Sequence, residues 1–180
     1  ERAPVRWLAQ LSDPVVRRYW ENRSDTGEIL TAPVVDKLNV LGSAQRDAVL
    51  LGAAKAGDER LTAFLVQAFT QIRGIDERGN AVVHYAASQG MVRAIERLAG
   101  KIDINLRNRD NRTALMLAAQ SGQAGVIRAL KEAGADVELT NESGETALMI
   151  AARAGRVQAI EALLPGWDYV CHDLCSPFCN

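Results

Sequence analysis

The sequence has few of the side chains on which catalysis or metal binding depends. Its 180 residues include two histidines, His84 and His172, and three cysteines, Cys171, Cys175 and Cys179. All three cysteines lie in the last ten residues, so no disulfide can cross-link the body of the chain. We therefore expect a reducing, intracellular location, in the cytoplasm or the nucleus.

Long apolar runs and an excess of charge of one sign are also missing. The chain is 48% hydrophobic and 24% charged, with a formal net charge of -1. No run approaches the roughly eighteen apolar residues of a membrane helix, so we expect no membrane association. The balanced charge gives no general affinity for nucleic acid. The first residue is Glu1 rather than Met, which leads us to expect a fragment of a longer chain, so the lack of a targeting segment does not indicate location.

Motifs of the common enzyme classes are absent as well. The sequence has no glycine-rich phosphate loop, no H-E-x-x-H pair and no G-x-S-x-G elbow. We therefore expect neither enzymatic activity nor a bound cofactor.

The sequence does contain an internal repeat. Residues Thr113 to Ala119 return in nearly the same order as Thr146 to Ala152, thirty-three residues later. Turn-forming residues precede each copy, and the two threonines occupy positions where a hydroxyl caps a helix. Gly122 ends the first helix of one copy, and a second amphipathic helix follows. A period of this length is typical of a solenoid.

Two earlier copies become visible in the same frame. One contains Ala86, Ala87 and Gly90, and a degenerate one contains Ala53 and Gly57, with helices expected over 45–56 and 59–72. We therefore predict an all-α fold of about four helix-turn-helix repeats. Their predicted ranges are 43–75, 76–107, 108–140 and 141–170.

The repeat resembles the ankyrin repeat, whose consensus includes D-x-x-G-x-T-P-L-H-x-A-A-x-x-G and, later, G-A-D-V. The similarity covers residues 43–170. The matching residues are Asp76, Gly79, His84, Ala86, Ala87 and Gly90 in the second copy; Thr113, Leu115, Ala118, Ala119, Gly122, Gly134, Ala135, Asp136 and Val137 in the third; and Gly144, Thr146, Leu148, Ala151, Ala152 and Gly155 in the fourth.

The chain departs from this consensus at two informative positions. The capping threonine becomes Ala81 in the second copy, which we expect to destabilise that repeat by about 1 kcal/mol. The usual histidine is kept only as His84, and Met116 and Met149 replace it later. Because His84 occupies the consensus position, we expect it to pack and form hydrogen bonds rather than catalyse.

The resemblance implies a monomeric scaffold or adaptor that binds a protein partner through a concave ankyrin groove, lined by the turn tips and the first helices. The predicted partner-binding residues are Glu77, Arg78, Asn80, Ser88 and Gln89 in the second copy; Arg109, Asp110, Arg112, Gln120 and Ser121 in the third; and Glu142, Ser143, Glu145 and Arg153 in the fourth.

Charge along these tips changes sign. The earlier tips are basic, through Arg78, Arg107, Arg109 and Arg112, and the later ones are acidic, through Glu138, Glu142 and Glu145. We expect a partner segment of opposite polarity to be steered into register.

Two alternatives remain open. The chain could be the regulatory or targeting arm of a larger protein, for example a kinase or a ligase. It could also be a small metal-binding module that uses Cys171, His172, Cys175 and Cys179.

Residues outside the repeat carry two further predictions. Residues 1–42 have apolar groups at helical spacing, including Trp7 and Trp20, and are expected to form a helical cap. Residues 171–180 form a Cys-containing tail.

Overall fold

The structure is a computed structural model that describes residues 42–69 and 71–164. The predicted N-terminal cap, apart from Gly42, lies outside the described residues, and so does the Cys-containing tail over 171–180.

The described residues form eight α-helices in four successive pairs, and two isolated β-bridges are their only β-structure. The helices are α1 (Ser43–Lys55) and α2 (Glu59–Ala68), α3 (Val82–Gln89) and α4 (Val92–Leu98), α5 (Ala114–Ser121) and α6 (Ala124–Glu132), and α7 (Ala147–Arg153) and α8 (Val157–Leu163). The predicted all-α repeat fold is confirmed.

The pairs stack in two rows. The first helices, α1, α3, α5 and α7, pack against one another in order, and the second helices form a parallel row behind them. One alanine position recurs at the centre of the first row and is fully buried in every repeat, at Ala53, Ala86, Ala118 and Ala151. A methyl side chain lets neighbouring helices approach closely, which explains why this position does not vary in size.

The predicted capping residues begin and end the helices. The hydroxyls of Thr113 and Thr146 accept hydrogen bonds from backbone amides three residues later, each at 3.4 Å. Ala81 offers no side-chain acceptor at the start of α3. Gly90 and Gly122 follow α3 and α5 with φ of 80° and 76°, a left-handed conformation that glycine adopts without strain.

Helix α2 is shorter than predicted. The expected helix over 59–72 ends at Ala68, because Phe69 is extended and its side chain is buried. The ammonium group of Lys101, in the next repeat, donates to the carbonyl oxygens of Val66 at 2.6 Å and Phe69 at 3.2 Å. A cation at a helix C-terminus stabilises exposed carbonyl groups, so a residue of the next repeat stabilises the end of this helix.

A second lysine makes the same kind of contact with the repeat that follows it in the chain. Lys131, at the end of α6, donates from Nζ to the carbonyl oxygen of Ala162 in α8 at 2.8 Å. Lys101 therefore reaches back to the first repeat and Lys131 reaches forward to the fourth.

Candidate functional site

Each of the last three repeats begins with a turn closed by one side chain. The Oδ1 atoms of Asp76, Asn108 and Asn141 each accept two backbone amides, from residues two and four positions later, at 2.8–3.0 Å. Such bonds fix the turn backbone without help from a ligand. The exposed tips between them are Glu77 and Arg78, Arg109 and Asp110, and Glu142 and Ser143.

Neighbouring turns are also bonded to each other. The amide of Arg109 donates to the carbonyl oxygen of Arg78 at 3.0 Å, and Asn108 Nδ2 donates to Asn80 Oδ1 at 2.9 Å. A Cβ added to Gly79 would lie 3.0 Å from the Arg109 nitrogen, so this close approach also needs glycine. Asn80, predicted to bind a partner, is half-buried and has its side-chain oxygen occupied by the next turn.

The exposed side of the first helices carries the remaining predicted residues. Gln89, Gln120, Ser121 and Arg153 are exposed, whereas Ser88 is half-buried and donates to the carbonyl oxygen of its own helix at Tyr85. We call this side, together with the turn tips, the groove face. Its members are the predicted residues given above, together with Lys55 and Tyr85.

In the third and in the fourth repeat, a side chain of the turn contacts a side chain at the end of the first helix, on the groove face. Arg112 donates from Nη1 to Gln120 Oε1 at 3.0 Å, and Arg153 binds Glu145 through two nitrogen–oxygen contacts of 3.0 and 3.2 Å. The hydrogen bond from Asn141, followed by the charges of Arg153 and Arg112, lowers the pKa of Glu145. Two guanidinium groups therefore favour the ionised form of this one carboxylate.

Sequence reasoning missed a cluster where the first two repeats meet. Tyr85 donates to Asp76 Oδ2 at 2.5 Å, Lys55 Nζ lies 3.5 Å from the same oxygen, and the Lys55 ammonium lies 5.3 Å from the centre of the Tyr85 ring. Lys55 stands thirty-three residues before Ser88, so extending the frame into the degenerate copy would have found it.

The bonds in this cluster shift two pKa values. Burial alone would raise the pKa of Asp76, but hydrogen bonds from Tyr85 and from the amides of Asn80 and Arg78 lower it to about 2. Burial, followed by the bond to Asp76, raises the pKa of Tyr85 to about 12. Both groups therefore hold fixed protonation states near neutral pH, Asp76 as carboxylate and Tyr85 as phenol, which suits a structural contact better than proton transfer.

His84 connects two repeats from inside the core. It is 1% exposed, its Nδ1 accepts from the Ala81 amide and its Nε2 donates to the carbonyl oxygen of Arg112, both at 3.1 Å. Burial lowers the pKa of His84 from its usual value, although the bond to Arg112 acts in the opposite direction. Both ring nitrogens are occupied by backbone groups, in keeping with the packing role expected for this residue.

In the part of the chain that the structure describes, no three His, Cys, Asp or Glu side chains are placed so that they could hold a metal ion together. The alternative ligands Cys171, His172, Cys175 and Cys179 lie outside it. None of the eight helices is long and apolar enough to cross a membrane.

Paired helices that stack at a period of about thirty-three residues, with turns projecting along one edge, define a helical repeat solenoid. A family model described as ankyrin repeats (three copies) matches residues 50–141 and again 83–173, together more than half of the chain. The chain belongs to the ankyrin-repeat family. Ankyrin repeats bind protein partners, and proteins built from them are typically non-enzymatic interaction modules. No curated protein matches the chain.

Proposed function

We propose that this chain is an adaptor that binds an extended segment of a partner protein through its groove face. The observation that carries the proposal is the set of three turns, each closed by Asp76, Asn108 or Asn141. Their backbones are fixed before any partner arrives, so binding costs little ordering of the tips. The side chains between these bonds are exposed and differ from repeat to repeat, whereas those of the frame are alike and buried.

The charges of the groove face favour a partner with carboxylates near its middle. Arg78 and Arg109 project from two turns that are bonded to each other, and Arg112 lies in the same turn as Arg109. The next tip is acidic, at Glu142. A segment with acidic residues against the second and third repeats and a basic residue against the fourth would be electrostatically complementary.

Selection from a random peptide library displayed on phage tests the proposal without a known partner. With the 180-residue chain as bait, we expect the selected peptides to be enriched in Asp and Glu. The variant Arg109→Glu/Arg112→Glu should bind a selected peptide about tenfold more weakly, because each reversal of an exposed ion pair costs up to about 1 kcal/mol.

The matched control is Arg93→Glu. Arg93 is exposed, as Arg109 is, but it lies on α4, in the row of second helices. Its reversal should leave the affinity for the peptide unchanged. Equal affinity of the double variant and the original chain would reject the groove face as the binding site.

A further inference from the structure

One repeating position of the first helices lines the groove face from the first repeat to the fourth. Each repeat contributes the residue that stands two places after its fully buried alanine. We call these residues the groove row: Lys55, Ser88, Gln120 and Arg153. All of them are exposed except Ser88, which is half-buried.

The carboxylate nearest to Lys55 is already occupied by other donors. Asp76 Oδ1 accepts two backbone amides of its own turn, and Asp76 Oδ2 accepts the hydroxyl of Tyr85. The Lys55 ammonium lies 3.5 Å from this second oxygen, and its side chain stays 47% exposed. An ammonium group has three N–H donors. Those that do not point at Asp76 are therefore open to a partner.

The third and fourth repeats show the same excess of donors. Arg112 Nη1 donates to Gln120 Oε1, so the Gln120 amide keeps its Nε2 donors for another group. Arg153 binds Glu145 through Nε and Nη2, and its Nη1 forms no bond within the described residues. Ser88 differs, since its hydroxyl already donates within α3. A partner of the groove row must therefore supply hydrogen-bond acceptors at three of the four positions.

The spacing of the groove row determines which conformation of a partner fits it. Consecutive first helices pack against each other, and the axes of packed helices lie about 8–10 Å apart. A polyproline II helix has three residues per turn and advances about 9 Å in each turn, so one of its faces repeats at this distance. Residues on the same face of a β-strand are about 7 Å apart, which does not match.

The backbone of a polyproline II helix also matches the excess of donors in the groove row. It forms no internal hydrogen bonds, so its carbonyl groups are free to accept. An α-helix has its carbonyl groups bonded internally and offers acceptors mainly from its side chains. Carboxylates are the strongest acceptors for lysine and arginine side chains. A polyproline II helix that carries carboxylates therefore suits the groove row best.

We propose that the partner segment lies along the groove row as a polyproline II helix, with Asp or Glu at every third residue facing the row. This inference rests on the adaptor function proposed above and adds the conformation and the register of the bound segment. The neighbouring face of the segment meets the turn tips, where a basic residue opposite Glu142 belongs. An acidic residue contributes least opposite Ser88, whose donor is already used.

Two synthetic peptides of ten residues and of the same composition test the register. In the first, glutamates stand at every third position and prolines fill the rest, so all four carboxylates share one face. In the second, the glutamates are spaced by two, four and two residues, which divides them equally between two faces. Isothermal titration calorimetry should show that the 180-residue chain binds the first peptide about tenfold more tightly, because the second brings only half of its carboxylates to the row.

Substitution of Lys55 tests one contact of the groove row. Lys55→Met removes the charge but keeps an unbranched side chain, and it should weaken binding of the first peptide about threefold. Replacing one terminal glutamate of that peptide with glutamine should then have no further effect, because that ion pair is already lost. Arg153→Met should couple in the same way to the glutamate at the other end. Arg93→Met, which removes an exposed positive charge from the row of second helices, is the matched control and should leave the affinity unchanged.

Equal affinity for the two peptides, or no binding of either, would overturn this inference. So would Lys55→Met and Arg153→Met variants that bind the first peptide as the original chain does. Tighter binding of a helical peptide with a glutamate at every seventh residue, which repeats at about the same distance, would show a helical partner instead. In each of these cases the adaptor proposal stands if Arg109→Glu/Arg112→Glu still weakens binding of a peptide selected from the library. If that variant binds the selected peptide as tightly as the original chain does, both proposals fail.

Discussion

Asn111 has an unusual backbone conformation that its position in the turn imposes. Among the described non-glycine residues it alone has positive φ, at 54°, and its counterparts Gly79 and Gly144 have φ of 75° and 73°. The turn closed by Asn108 needs a left-handed residue here, and asparagine tolerates this conformation better than other residues with a Cβ. The side chain of Asn111 is exposed, so its backbone geometry rather than a contact explains its presence.

Two substitutions of Asn111 distinguish the effect of its backbone conformation from the effect of its side chain. Asn111→Ala should lower the free energy of unfolding by about 1–2 kcal/mol, the cost of a left-handed conformation for a residue with a Cβ. Asn111→Gly should keep stability within about 0.5 kcal/mol of the original, since glycine relieves strain but loosens the unfolded chain. Denaturant unfolding measures both. If the two variants lost the same stability, the side chain and not the backbone would matter.

At the scale of the helix, the second helices show how a degenerate repeat departs from its neighbours. Thr62 in α2 occupies the position of Ile95 in α4 and Ile127 in α6, and all three are fully buried. Within the described part of the chain, the Thr62 hydroxyl has no hydrogen-bond partner. A buried polar group without a partner costs about 1–3 kcal/mol.

Thr62→Val should therefore raise the free energy of unfolding by about 1 kcal/mol, because it removes this cost and keeps the shape of the side chain. Thr113→Val is the matched control. It makes the same chemical change at a threonine whose hydroxyl caps α5, so it should destabilise the chain by about 1 kcal/mol. Chemical denaturation measures the change in the free energy of unfolding of both variants. A loss of stability in Thr62→Val would contradict the conclusion that the Thr62 hydroxyl is unpaired.

The helices also show what the sequence could and could not predict. Helix pairs and their caps at Thr113 and Thr146 were predictable because they depend on local residues that recur. The end of α2 was not predictable, because its apolar period continues to Ile72, and Lys101, which binds the carbonyl groups at its end, lies more than thirty residues away. Contacts between repeats leave no local pattern.

The groove face was only partly predictable, for the same reason. The exposed tips follow from the frame, and charges such as Arg109 can be assigned to them. That Asn80 is bonded by the next turn, or that Lys55 and Tyr85 share Asp76, depends on how neighbouring repeats stack. The intracellular location, the monomeric state and the helical cap over 1–42 stay predictions.

At the scale of the whole molecule, stability should depend on pH through a contact between repeats. Burial keeps His84 neutral in the folded chain, so the folded state binds fewer protons than the unfolded state near pH 6. The stability that neutral His84 contributes is complete above about pH 6.5, the usual histidine pKa, and is lost as the pH falls below that value. Protonation would also remove the acceptor that holds the Ala81 amide.

Thermal unfolding between pH 7.5 and 5 tests this dependence. The melting temperature should fall below pH 6.5 in the original chain and fall less in His84→Met, which has the residue that the next repeat carries as Met116. His172 is present in both chains, so its titration cancels. Asp76 does not interfere, because its pKa is lowered from 3.8 to about 2, so its contribution to stability is complete above pH 3.8 and is lost only below that value. If the melting temperature fell equally with pH in both chains, the stability of the fold would not depend on protonation of His84.

The two lysine contacts bear on the order in which the described repeats would unfold. Lys101 and Lys131 belong to the two central repeats, and the carbonyl groups they hold belong to α2 and α8 in the outer ones. An outer repeat that opens breaks only its own attachment, and the central pair keeps both cations and their helices. Opening of the centre would instead free both ends at once. We therefore expect the described repeats to open from the first and the fourth inwards, with the second and third repeats, which carry most of the basic tips, the last to lose their shape.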